Sequence, residues 1–149
     1  MTETRTVLGK RPVQLRMRRL SPSATLPDEV VDFSRGLTLC ADLGHPLRLS
    51  PTQTELVTTG LSVVIPTGYS GMILSRKGLS QKHSVSVLDA PTLISPTFTG
   101  EVRVVLHNHG RKPFTVYHGA EIAQLLVVPI PEINLFLEDD YHVHDPDMQ

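Results

Sequence analysis

Short alternating apolar runs, broken at regular intervals by turn formers, organise most of this chain. From Glu101 to Asn108 the sequence Glu-Val-Arg-Val-Val-Leu-His-Asn sets apolar residues at 102, 104 and 106, the period-two pattern of a half-buried strand. Phe114-Thr-Val-Tyr117 follows after the turn signal His109-Gly-Arg-Lys-Pro113, and together the two runs predict a hairpin. Further strands are predicted over 14–18, 37–41, 47–49, 55–56, 61–65, 71–74, 85–88 and 122–128. Strands this short and this evenly punctuated predict an all-β barrel or jelly roll. Only two stretches suit a short helix: Gly78 to Lys82, and Pro27 to Phe33, where Asp28 and Glu29 would face the partial positive charge of a helix start.

Composition narrows the picture. Twelve prolines and ten glycines disfavour a helical domain, and 149 residues at 40% apolar content suit one domain with an ordinary core. The longest apolar stretch, Leu125 to Ile130, is far shorter than the roughly 20 residues of a membrane-spanning helix. With no apolar N-terminal segment of the secretory kind, a soluble intracellular protein is expected. Cys40 is the only cysteine, which excludes an intramolecular disulfide and a cysteine-based metal site, and fits a reducing compartment.

The net charge of −1 conceals ends of opposite sign. Met1 to Arg19 carries six Lys or Arg against one Glu, whereas Glu132 to Gln149 carries six acids and no Lys or Arg. The chain therefore divides into a basic arm (1–12), a β domain (13–137) and an acidic tail (138–149). The basic residues are spread out without interleaved aromatics, so a solvated arm or first strand is expected rather than a nucleic-acid surface. In the tail, His142, His144 and Asp145 lack a further strong ligand of defined geometry, and no metal site is expected there. There is no Gly-x-Ser-x-Gly elbow, Walker loop or His-Glu-x-x-His, and Cys40 in an apolar strand reads as core.

Two segments carry more information: Leu74-Ser-Arg-Lys-Gly-Leu-Ser80 and Gly119-Ala-Glu-Ile-Ala-Gln-Leu-Leu126. They resemble the second and fourth motifs of the trimeric dUTPase family, and the resemblance extends in order and spacing from Val13 over most of the chain. It implies the family's jelly-roll fold. At the first motif, where the family has an aspartate organising the metal-bound triphosphate, the aligned run is Arg35-Gly-Leu-Thr-Leu39, with Thr38 at the acidic position. Asp42, four residues on, reads by default as a surface-loop residue. The second motif keeps Arg76, Gly78 and Leu79 and puts Lys77 in place of a serine, preserving positive charge for a phosphate while losing a short hydroxyl donor. A solvated Arg-Lys turn is the competing reading.

The third motif bears on catalysis. Counted back from Gly100, the run Thr92-Leu-Ile-Ser-Pro-Thr-Phe-Thr-Gly100 sets Ser95 where the family has its water-orienting aspartate and Phe98 where it has a tyrosine stacked on deoxyribose. A serine has no basicity near neutral pH, and losing a general base costs on the order of 10²- to 10⁴-fold in rate. An alternative alignment matches Val87-Leu-Asp89 to the family's Val-Ile-Asp, with Asp89 as the carboxylate and a longer hairpin before Gly100. The fourth motif keeps Gln124 but has Ala120-Glu121 for an Asp-Arg pair, and Glu121 would repel a triphosphate. The glycine-rich fifth motif has no counterpart in Tyr141-His-Val-His-Asp-Pro-Asp-Met-Gln149.

By resemblance, these exchanges imply a catalytically inactive, dUTPase-like viral protein, similar to the adenovirus proteins of the first open reading frame of early region four. On that expectation Thr38, Ser95 and Phe98 are degenerate positions, and Arg76, Lys77, Gly78, Phe98 and Gln124 are vestigial nucleotide or phosphate contacts. No cofactor is expected. The implied partners are two further copies in a homotrimer and host signalling proteins such as phosphoinositide 3-kinase, in the host cytoplasm or nucleus. Asp147-Met-Gln149 lacks the hydrophobic last residue a PDZ groove accepts, which argues against that partner class. The alternative is a divergent dUTP pyrophosphatase using Mg²⁺, or a nucleotide-binding switch.

Overall fold

The structure is a computed structural model describing residues 12–27, 36–139 and 147. Among them are eleven strands: β1 (Arg16–Arg19), β2 (Leu37–Cys40), β3 (Leu47–Leu49), β4 (Thr54–Thr58), β5 (Leu61–Val64), β6 (Tyr69–Ser75), β7 (Val85–Val87), β8 (Thr92–Ile94), β9 (Arg103–Asn108), β10 (Phe114–Val116) and β11 (Glu121–Pro129). One helix, α1 (Lys77–His83), follows β6. The expected all-β jelly-roll-like architecture is what forms. The second predicted helix, apart from Pro27, and the tail residues His142, His144 and Asp145 lie outside the described residues. No helix among the described residues is long and apolar enough to cross a membrane.

The strands form four antiparallel sheets, ordered β2-β11-β6-β8, β4-β9-β7, β1-β5 and β3-β10. Alternation fixes which face is buried. On β9, Val104 and Leu106 point inward with Asn108, while Arg103, Val105 and His107 point out. Leu39, Ile73, Leu125, Val57, Val85 and Ile94 come from different strands to one continuous core, a shared burial that no single strand achieves alone.

The predicted hairpin between residues 101–108 and 114–117 does not form. β9 pairs with β4 and β7, and β10 pairs with β3. Asn108 is the cause: fully buried, it donates from Nδ2 to the carbonyls of Leu49 (3.0 Å) and Lys112 (2.8 Å), and accepts the Gly110 N–H at 2.9 Å. Those bonds turn the chain out of one sheet and lay the next strand along β3. β3–β4 and β9–β10 thus run as one antiparallel ribbon that changes sheets at a corner.

Two details shape the site end of the molecule. α1 stops where Ser84 takes a left-handed conformation (φ 57°) and its N–H caps carbonyls of the last turn. On β11 the register shifts between Glu121 and Ala123, a bulge-like irregularity that re-aims the side chains around it.

Candidate functional site

Sheet register assembles the first half of the site. Gln124 on β11 lies directly opposite Thr38 on β2 and Leu74 on β6, so three segments far apart in sequence meet in one row across the sheet. Arg76 caps the junction from β6 into α1, with an extended backbone (φ −80°, ψ 128°). Its Nη1 donates to Thr38 Oγ1 at 3.1 Å, and its Nη2 meets Glu121 Oε2 at 2.7 Å. The Thr38 hydroxyl, uncharged, serves here as an acceptor that orients the guanidinium. Lys77 and Gly78 are exposed beside it, and a Cβ at Gly78 would meet nothing within 4 Å.

Asp42 belongs elsewhere. Its half-buried carboxylate accepts the Ser23 hydroxyl at 2.6 Å and lies 3.6 Å from His118 Nδ1. It also fills the space beside Gly60, whose φ of +68° and close neighbours leave no room for a side chain: an added Cβ would come to 2.5 Å from Asp42 Oδ2. The default reading as a surface-loop aspartate is corrected by this packing.

The second half lies at the turn after β8. Ser95-Pro-Thr-Phe98 forms a tight turn closed by the Phe98 N–H on the Ser95 carbonyl (3.0 Å), with the exposed Ser95 Oγ 2.8 Å from Thr97 Oγ1. Half-buried Phe98 packs on the core and lines a groove of about 690 Å³ with Leu15, Met17, Val63 and the arginines Arg16 and Arg18. Asp89 is exposed in the loop between β7 and β8, where its backbone carbonyl accepts the Thr92 hydroxyl at 3.3 Å.

The two halves are not adjacent within one chain. Ile94 pairs with Gly71 near the start of β6, whereas Arg76 lies just beyond its end. At about 3.3 Å per residue, roughly 15–20 Å of strand separates the turn that begins at Ser95 from Arg76, and roughly 10–13 Å separates it from the Gln124–Thr38 row at Leu74. The pairing of Arg76 with Glu121, 45 positions apart, is the feature that motif reading missed. Only the cross-strand register could have revealed it.

The fold is thus a β-sandwich frame with the Arg76 guanidinium held at one sheet end and the Ser95–Phe98 turn at the other. The dUTPase family profile matches residues 25–145, and the chain belongs to the dUTPase family. It is 40% identical over 132 residues to a deoxyuridine 5′-triphosphate nucleotidohydrolase of Anaeromyxobacter sp. (strain Fw109-5), covering 87% of this chain and 88% of that one. It is 42% identical over 118 residues to the same-named protein of Alcanivorax borkumensis, covering 78% and 79%. Among solved structures, a mutant dUTPase from phage phi11 of S. aureus, described as coordinating a structural Mg(II) ion, superposes with a TM-score of 0.76. It shares 21% identity, with 87% of this chain and 99% of that one covered.

Those relatives overturn the expectation of an inactive viral adaptor. At about 40% identity over most of both chains they are bacterial proteins named as dUTP nucleotidohydrolases. The adenovirus resemblance, and with it the reason for expecting host signalling partners such as phosphoinositide 3-kinase, has no counterpart in these matches.

Among the described residues no three His, Cys, Asp or Glu side chains cluster suitably for a metal, Thr38 offers a hydroxyl, and Glu121 is engaged by Arg76. Mg²⁺ is commonly held by one or two carboxylates together with substrate phosphates.

Proposed function

We propose that this protein is a dUTP diphosphatase, converting dUTP and water to dUMP and pyrophosphate. The observation that supports it is the near-full-length similarity, at 40% and 42% identity, to deoxyuridine 5′-triphosphate nucleotidohydrolases. In this reading Mg²⁺ enters as part of the substrate, bound to the triphosphate, and no step depends on a metal held by the chain.

The chain's own groups divide the work. Arg76, oriented by Thr38 and flanked by Lys77, supplies charge-assisted hydrogen bonds to phosphate oxygens, with Gln124 in the adjacent row. Phe98 presents a ring to the sugar. Ser95 holds the attacking water by its hydroxyl, which orients the water without taking its proton. The water oxygen bonds to the phosphorus nearest the sugar, the bond to the pyrophosphate oxygen breaks, and the proton passes to solvent.

The sugar and its phosphates are covalently joined, so one chain whose contacts for them stand roughly 15–20 Å apart along β6 cannot supply both. The pocket in this reading lies between copies, which gives the expected homotrimer its purpose. Incubation of the purified protein with dUTP and Mg²⁺ tests the function: release of pyrophosphate and dUMP in equal amounts is expected, and no release above buffer would sink it.

A further inference from the structure

We propose that Glu121 is a built-in competitor for the phosphate site, a carboxylate that occupies Arg76 in the resting protein and must swing away when the triphosphate arrives. The inference rests on the reading of Arg76 as a phosphate contact. Three observations carry it. First, the guanidinium meets both a neutral acceptor, Thr38 Oγ1 at 3.1 Å, and an anionic one, Glu121 Oε2 at 2.7 Å. The hydroxyl can remain bonded while a phosphate oxygen replaces the carboxylate.

Second, the two partners are unequally anchored. The Arg76 side chain is 25% exposed and is held by Thr38 from β2, whereas the Glu121 side chain is 58% exposed. Glu121 therefore has solvent into which it can rotate, and a solvated carboxylate is a stable alternative state. An ion pair with one partner this exposed is held weakly, so the latch yields to a ligand carrying several charges.

Third, the register shift on β11 between Glu121 and Ala123 gives the contact a structural cause. Ile122 and Ala123 are both buried, so strict alternation is interrupted at the bulge, and Glu121 emerges opposite Cys40 within reach of Arg76. The consequence is a site whose positive charge is internally neutralised until a polyanion displaces the carboxylate. A displaced Glu121 remains close by and repels the bound phosphates, and its return to Arg76 favours release of the charged products.

The test is calorimetric titration of the full chain with a nonhydrolysable dUTP analogue and Mg²⁺, comparing wild type with Glu121→Gln, Glu121→Asp and the double variant Arg76→Ala/Glu121→Gln. Glu121→Gln removes competition and repulsion together, and about tenfold tighter binding is expected. Glu121→Asp, which keeps the charge but withdraws it by one methylene, is expected to bind more tightly than wild type by a smaller factor and guards against a folding defect in the first variant. The double variant is expected to lose the gain. Equal or weaker binding by both single variants that fold as wild type does would overturn the competitor role while leaving the proposed function intact. Absence of binding by wild type and all variants would overturn the phosphate reading of Arg76 itself.

Discussion

Ser95 is the residue on which rate should depend most. It stands exposed at the closing turn of Ser95-Pro-Thr-Phe98, its hydroxyl 2.8 Å from Thr97 Oγ1, at the position the family resemblance gives to a water-orienting carboxylate. A hydroxyl fixes the water's direction but does not draw off its proton, which a carboxylate does. Ser95→Asp is therefore expected to raise kcat by about 10²- to 10⁴-fold with KM little changed, read from pyrophosphate release. Asp89→Asn, which alters an exposed loop residue on the other side of β8, is expected to leave both constants as they were. A faster Ser95→Asp enzyme combined with an unaffected Asp89→Asn enzyme would assign the carboxylate position; the opposite pattern would move it to Asp89.

At the level of elements, strand existence was far more legible in the sequence than strand pairing. Alternation located β9 because one face of it is buried, and a period-two pattern is what burial leaves behind, whereas β11 was legible as a run of apolar, strand-forming residues. β8, Thr92–Ile94, was not legible because it lies between Pro91 and Pro96, and flanking prolines read as loop. Adjacency in sequence suggests β9 as the partner of β10, while the pairing with β3 rests on bonds from one buried side chain to Leu49 and Lys112. The same limit hid the Arg76–Glu121 pair: motif spacing revealed both residues, and only register brought them together. Asn108→Ala removes the polar side chain that satisfies three buried or half-buried backbone groups at the corner. It is expected to lower unfolding stability by about 2–4 kcal/mol in urea titration, since unsatisfied buried groups cost more than the bonds themselves contribute. A loss under half a kilocalorie would show that the ribbon turns the corner without it.

For the whole molecule, the question is which chains build one pocket, and the geometry of β6 makes it answerable. Arg76 follows the end of that strand, and the turn bearing Ser95 and Phe98 follows a strand paired to its beginning. If each pocket takes its phosphate contacts from one copy and its sugar contacts from a neighbour, two differently damaged chains can repair each other. Arg76→Ala spoils one half and Phe98→Ala the other, so each homotrimer is expected to be strongly impaired. Co-refolded at equal concentrations, the two chains would distribute randomly around a cyclic assembly, and about one quarter of pockets would combine an intact Arg76 with an intact Phe98. Activity near a quarter of wild type should then appear on mixing, in a species that sediments as a trimer. A pocket built within one chain predicts the contrary, because every chain in the mixture carries a lesion in its own site, and mixing would restore nothing.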